Sequence, residues 1–380
     1  MTEARTFLPV AEADLGPMEE QRVLDALRSG WVSSIGPYVH RFESGFAKFC
    51  GTRHAVAVSN GTVAIHLALL AANVGPGDEV IIPALTFVAT ASAVRHAGAE
   101  PVFVDSEPEI GTMDPKAVER ALSAKTRAIM PVHLYGHPAD MDPILEIARS
   151  RRLAVIEDGA EAHGARYKGR MVGSMGLMAT FSFYGNKIIT TGEGGAVVTD
   201  DEVLAARLRL LKDHAMDPNR RYWHSEVGFN YRLTNLQAAL GCAQLERYEE
   251  LRSKRQRIAD LYRQAFATTG IAINPSRAWA TPVPWLVCAL LAPGTTSPRR
   301  DALMARMKAE EIDSRPYFHL LCDMPPYATC RRVAASGGAT LMVAAELSAR
   351  GLNLPSVARL TAADVARVAA AVGAWQQSGP

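Results

Sequence analysis

The sequence has few cysteines, no excess of charge of either sign, and no apolar run long enough to cross a bilayer. Its five cysteines (Cys50, Cys242, Cys288, Cys322 and Cys330) are scattered, odd in number and never spaced C-x-x-C. That pattern excludes a disulfide framework and a zinc knuckle, leaves no expected metal site, and makes the cysteines packing residues. Forty-one Lys and Arg against 39 Asp and Glu leave a formal net charge of +2, so no broad field draws in nucleic acid or an anionic membrane. The most apolar stretches, HLALLAANV (66–74) and WLVCALLAP (285–293), fall well short of the roughly 20 residues a membrane helix needs. The N-terminal MTEARTFLPVAEADLG carries acidic residues and no apolar h-region, so it does not read as a secretory signal, and the expected location is cytoplasmic. Several common signatures are missing as well. There is no Walker A sequence, no H-E-x-x-H and no G-x-S-x-G. Gly192-Glu193-Gly194-Gly195 lacks the dinucleotide spacing and precedes a strand, AVVT.

What is present is an ordinary globular composition, 48% hydrophobic and 21% charged over 380 residues. Intrinsic disorder is excluded as the main state, and the length suggests two to three domains at roughly 150 residues each. After an amphipathic helix at 16–29, short β-branched runs alternate with helical segments. Strands are expected at 54–59, 79–83, 101–105, 127–135 and 153–158, and helices at 62–72, 90–98, 114–123 and 142–151. Short, nearly continuous apolar strands of this kind belong to a mainly parallel sheet covered on both faces. The character changes near residue 245, where ERYEELRSKRQRIADLYRQAF (246–266) reads as one long helix. A strand WLVCALL and helices at 299–312 and 363–375 follow it. The expected organisation is a large α/β domain over 12–245 and a small α+β domain over 246–380. The N-terminal residues join either the small domain or a partner subunit.

Three places carry chemistry. Ser59-Asn60-Gly61-Thr62 lies between a strand and a helix, where free N–H groups and the positive dipole end can hold a phosphate; the alternative is an ordinary N-cap made by Asn60 or Thr62. Asp158 closes the strand LAVIED, where open α/β sheets bind their ligands, and is placed to meet a cationic ring nitrogen or a metal, or else to cap the next helix. In ATFSFYGNKIITTGEGGAVVT (179–199), alternation puts Thr180, Ser182 and Tyr184 on one face and Phe181 and Phe183 on the other. That strand delivers Lys187 into a turn. A crowded amine there loses proton affinity and can form a Schiff base, whereas an isolated lysine is more often solvated. A phosphate site, a strand-end carboxylate and a strand-end lysine, in that chain order, are what pyridoxal phosphate requires.

These residues carry a resemblance. SNGTVAIHLAL, PALTFVATASAV, PVFVD, MPVHLYGHPADM, VIEDGAEAHGA, GSMGLMATFSFYGNKIITTGEGGAVVTDD and GFNYRLTNLQAALGCAQLE resemble the fold-type I, PLP-dependent sugar aminotransferases of the DegT/DnrJ/EryC1/StrS group, which share the aspartate aminotransferase-like fold. The resemblance implies Lys187 as the lysine that carries the cofactor's aldehyde and shuttles the proton, and Asp158 as partner of the pyridine nitrogen. Gly61, Thr62 and Ser182 would hold the phosphate. Phe87 would stack on the ring or pack in the core, and Glu161, where many relatives have Gln, would lie near the ring hydroxyl. Asn230 would reach the cofactor phosphate of a neighbouring subunit, which implies a homodimer with shared active sites.

One branch of the family dehydrates its sugar and has histidine in place of the lysine; Lys187 favours transamination over such a dehydratase and over a non-catalytic PLP-binding protein. DHAMDPNRRYWHSEVGFNYRLTN (213–235) and DSRPYFHLLCDMPPY (313–327) are similar to the perosamine-forming branch, which moves an amino group from L-glutamate to C4 of GDP-4-keto-6-deoxymannose. Arg220, Arg221 and His224 would contact a nucleotide diphosphate or form a solvated surface loop, with Tyr317 and His319 as further substrate contacts. Gly159 and His163 stand where that branch more often shows Ala and Leu. Another nucleotide-linked ketosugar, or a cyclitol ketone, is the alternative acceptor.

Overall fold

The computed structural model describes residues 6–377. Residues 1–5, at the start of the segment tested for a secretory signal, and 378–380, at the end of the expected small domain, lie outside them. After α1 (Pro17–Arg28) and α2 (Pro37–Cys50), the chain alternates β1 (His54–Val58), α3 (Gly61–Ala71), β2 (Glu79–Pro83), α4 (Ala89–His96), β3 (Glu100–Val104), α5 (Pro115–Ala121), β4 (Thr126–Ile129), α6 (Met141–Arg151) and β5 (Ala154–Asp158). A small hairpin, β6 (Arg166–Tyr167) and β7 (Arg170–Met171), precedes β8 (Met178–Ser182), β9 (Gly195–Thr199) and helices α7 (Glu202–Lys212), α8 (Asn235–Glu246) and α9 (Tyr248–Ala265). The remainder is β10 (Ala272–Ile273), β11 (Ala280–Thr281), β12 (Val287–Leu290), α10 (Ser297–Ala309), β13 (Arg315–Pro316), β14 (Arg332–Val333), α11 (Met342–Arg350), β15 (Gly351–Leu354) and α12 (Ala362–Gln377).

Eight strands form the central sheet in the order β1-β9-β8-β5-β4-β2-β3-β14. The run from β8 through β14 is parallel, while β9 lies antiparallel to both β1 and β8. The interior strands are buried along almost their whole length, because helices cover both faces. Under β8, Phe42 and Phe46 of α2 meet Phe181 and Phe183 edge to face, with centroids 4.9–5.1 Å apart. This fixes which face of β8 turns toward α2 and which toward the ligand side.

The expected strand over 127–135 is shorter than its apolar run. It ends at Ile129, and the chain turns through Leu134–Gly136, where Tyr135 adopts φ 51°. Pro131 supplies no N–H for a continuing ladder. A second core gathers Ile258 and Tyr262 of α9, Leu303, Val368 and Leu354 around the sheet β10-β12-β15-β13. Leu8 belongs to this core and bridges Ile312, which places the N-terminal residues against it. The C-terminal region also reaches back, since β14 extends the edge of the large sheet beside β3. All five cysteines are buried and free. Among the described residues no helix is long and apolar enough to cross a membrane, and no cluster of side chains could hold a metal ion.

Candidate active site

A cavity of about 750 Å³ opens beyond the carboxyl ends of β5 and β8, and Gly61, Thr62, Phe87, Asp158, Glu161, Ser182 and Lys187 all line it. The fold brings them together from separate elements. Asn60 caps α3, its side chain accepting from the N–H of Val63 (3.0 Å) and its carbonyl from that of Ala64. The first-turn N–H groups of Gly61 and Thr62 have no intrahelical acceptor, so capping and anion binding are compatible at this helix start. Glycine is required at 61 by close approach: a Cβ there would meet the Ser182 Cβ at 2.7 Å.

Asp158 is buried, and no helix follows it to be capped. The backbone N–H of Ala160 donates to Oδ1 (3.1 Å), and the Thr90 hydroxyl donates to Oδ2 (3.0 Å). Burial raises its pKa; those two donors and Lys187 work against the rise without cancelling it. Lys187 is also buried. Its Nζ stands 3.9 Å from Glu161 Oε1 and 3.5 Å from the ring centroid of Trp285. Burial lowers the proton affinity of the amine, and the carboxylates of Glu161 and Asp158 only partly restore it. Glu161 accepts the N–H of Tyr135 (2.7 Å). Burial pushes its carboxyl up, with Lys187 and the Tyr135 N–H pulling the other way without cancelling the rise. Phe87 is 54% exposed at the mouth, 5.8 Å from Phe318, which removes the core-packing alternative.

The other expected residues lie apart from this cavity. Arg220 stacks over Trp223 (4.0 Å) and Arg221 over Tyr222 (4.9 Å) in an exposed loop, where His224 Nδ1 bonds the carbonyl of His214. Tyr317 is buried behind Tyr135, with rings 4.7 Å apart, and His319 is exposed outside the cavity lining. Asn230 is exposed and accepts from Arg232 Nε (3.2 Å). Within one chain none of these six lines the cavity. Thr90, Trp285, Arg315 and the pair His133–Glu157 were not anticipated. Only Glu157 carried a sequence signal, because alternation along AVIED sends it to the face opposite Asp158.

His163 lies under the site, its ring between Phe181 and Phe183 at 5.6 and 5.7 Å. Neither ring nitrogen has a hydrogen-bond partner. Burial, and then the charge of Lys187, push its pKa down to about 3; the Ser182 backbone, short of hydrogen-bond geometry, pulls the other way. A buried imidazole without partners costs about 1–3 kcal/mol. His163→Leu should therefore raise stability by about 1–2 kcal/mol at pH 7, read from the denaturant midpoint. The unfolded state takes up this proton below about pH 6.5 and the folded state only near pH 3. Wild-type stability should thus fall with pH across that window by up to about 1.4 kcal/mol per unit from this group, a slope the Leu variant lacks. Lower stability in the variant would mean that the ring is bonded after all.

The donor set fits pyridoxal phosphate. A helix start that only glycine can approach ends in the Ser182 hydroxyl, a buried carboxylate faces the cavity, and a buried amine of lowered proton affinity stands opposite it. The fold and this cavity define an aminotransferase of the pyridoxal phosphate class. The chain belongs to the DegT/DnrJ/EryC1/StrS aminotransferase family, whose model matches residues 13–373. It is similar to the GDP-perosamine synthase of Caulobacter vibrioides, 48% identical over 96% of this chain and 97% of that one. DesV of S. venezuelae superposes with a TM-score of 0.87 at 37% identity, covering 95% of each chain. The PLP form of Spr1654 from Streptococcus pneumoniae superposes at 0.91 with 26% identity, covering 98% of this chain and 99% of that one.

Proposed function

We propose that the protein transfers an amino group from L-glutamate to C4 of GDP-4-keto-6-deoxymannose, with pyridoxal phosphate as cofactor. The observation that carries this reading is the single cavity shared by Lys187, Asp158 and the glycine-gated start of α3. When bound, pyridoxal phosphate supplies the aldehyde that takes up the amine and the conjugated ring that acts as electron sink. Gly61, Thr62 and Ser182 would hold the phosphate, and Phe87 at the mouth would pack against the cofactor. Asp158 keeps the ring nitrogen protonated. Its own burial strengthens that pairing, since an unpaired carboxylate there would be costly. Glu161, beside Lys187 in the cavity wall, would serve the ring hydroxyl. Lys187 accepts and returns the proton at the reacting carbon, a task suited to an amine whose proton affinity burial has lowered.

The protein acts as a homodimer, in which Asn230 of each subunit completes the phosphate site of the other. This accounts for the exposed position of Asn230 in the single chain. The nucleotide and sugar rest on the 48% identity to a GDP-perosamine synthase across nearly the full length of both chains.

The test uses enzyme treated with L-glutamate and then freed of it. Adding GDP-4-keto-6-deoxymannose should restore the cofactor's visible absorption band and produce an amino sugar in the mass spectrum. No restoration, while 2-oxoglutarate still restores the band, would sink the acceptor and keep the aminotransferase. A product without nitrogen would point to dehydration.

A further inference from the structure

Among the described residues that line the cavity, Arg315 is the one arginine. It sits on β13, antiparallel to β15 and opposite Asn353. Its position is secured on both sides. Tyr317 N–H donates to the carbonyl of Gly351, and Phe318 N–H donates to the Tyr135 hydroxyl (3.2 Å). The Phe318 ring then lies against Tyr135, 5.2 Å away and nearly parallel, and faces Phe87 at the mouth. A strand pair and an aromatic stack thus hold the backbone that carries Arg315 at the rim, leaving its exposed side chain unengaged.

Among the described residues Arg315 makes no ion pair and no side-chain hydrogen bond. The carboxylates of the wall are otherwise engaged or turned elsewhere. Asp158 is bonded to Thr90 and Ala160, and Glu161 to Tyr135 with Lys187 beside it. The cofactor phosphate has its own donors at the start of α3. His66, further along the wall, has its proton affinity lowered by burial and then by His96. A substrate oxyanion entering from the mouth therefore meets one free fork of donors.

We propose that Arg315 anchors an oxyanion of the substrate at the rim of the cavity. This rests on the function proposed above, in which both substrates carry such a group: the α-carboxylate of the amino donor and the diphosphate of the nucleotide-linked acceptor. Guanidinium presents paired N–H donors that match either group bidentately.

The experiment compares full-length holoenzyme with Arg315→Gln and Arg315→Lys in the two half-reactions separately, and by calorimetric binding of L-glutamate and of GDP. Arg315→Gln should lower kcat/KM in one half-reaction by about 10- to 100-fold, mostly through KM, and weaken binding of the corresponding probe. Arg315→Lys should recover part of the loss, because it keeps the charge but not the fork. The melting temperature and the cofactor spectrum should stay as in wild type. Loss confined to glutamate names the carboxylate, and loss confined to the sugar and GDP names the diphosphate. Unchanged binding of both probes and unchanged half-reactions would overturn the proposal. A wild-type enzyme inert in both half-reactions would refute the function itself, and the two binding measurements would still decide Arg315.

Discussion

Lys187→Ala should abolish amino transfer while leaving the fold intact. Proton transfer by a positioned side chain is worth about 10²–10⁴-fold, and this amine has no substitute: among the described residues lining the cavity, no other lysine is present. Removing it also withdraws the charge that partly offsets the burial of Glu161 and Asp158, so both carboxyls should rise further. The fold should tolerate the change, because a buried amine 3.9 Å from the Glu161 carboxylate contributes little net stability. The measurements are steady-state transfer from L-glutamate, the visible absorption of the reconstituted enzyme, and the melting temperature. Activity within tenfold of wild type would remove Lys187 from its role, and loss of the fold would make the amine structural.

Much of this site is legible in the sequence. SNGT between a strand and a helix, Asp158 at a strand end and Lys187 just past another are local features, each fixed by a few neighbouring residues. Strand–helix alternation then determines that all three meet at one edge of the sheet. The contacts that tune them are not local. Thr90 reaches Asp158 across 68 positions, and Trp285 covers Lys187 from the loop before β12, far along the chain. No periodicity reports such pairs. RAIMPVHLY misled for a different reason: an apolar run does not say where its ladder stops, and the turn at Tyr135 is stabilised by Glu161, which lies elsewhere in the chain. The arginines at 220 and 221 were read from a resemblance and from the match of guanidinium to pyrophosphate, and neither says which surface an irregular loop faces. The change of character near residue 245 marks α9, yet β14, from the same C-terminal region, completes the edge of the large sheet.

Adjacent carboxylates at the end of β5 should separate stability from catalysis. Glu157 is fully buried on the face opposite Asp158. Its Oε2 accepts from His133 Nε2 (3.0 Å) and the N–H of Gly173 (3.0 Å), and its Oε1 from the N–H groups of Met175 and Gly176 (2.8 Å each). His133 cannot reverse its role. The N–H of Ala139 donates to its Nδ1 (3.0 Å), which assigns the ring hydrogen to Nε2. Burial alone would raise the Glu157 pKa, but His133 and these backbone donors overcome it and hold the carboxyl below its ordinary value. In Glu157→Gln the amide NH₂ must face two donors whichever way it turns. The loss of two charge-assisted bonds and two stranded donors should cost about 3–5 kcal/mol. Asp158→Asn meets a different situation, because the Thr90 hydroxyl can accept from the new NH₂ while Oδ1 keeps the Ala160 N–H. The burial cost of a charge is also removed, so stability should stay within about 1 kcal/mol of wild type. Catalysis should behave in the opposite way. An amide cannot keep a ring nitrogen protonated, and Asp158→Asn should slow both half-reactions by about 10²-fold or more, the scale of a lost charge-assisted contact. Denaturant midpoints together with single-turnover rates for both variants test the pair. A stable Glu157→Gln protein would show that Glu157 is not the clamp on this strand end, and an Asp158→Asn enzyme at wild-type rates would remove the ring-nitrogen assignment.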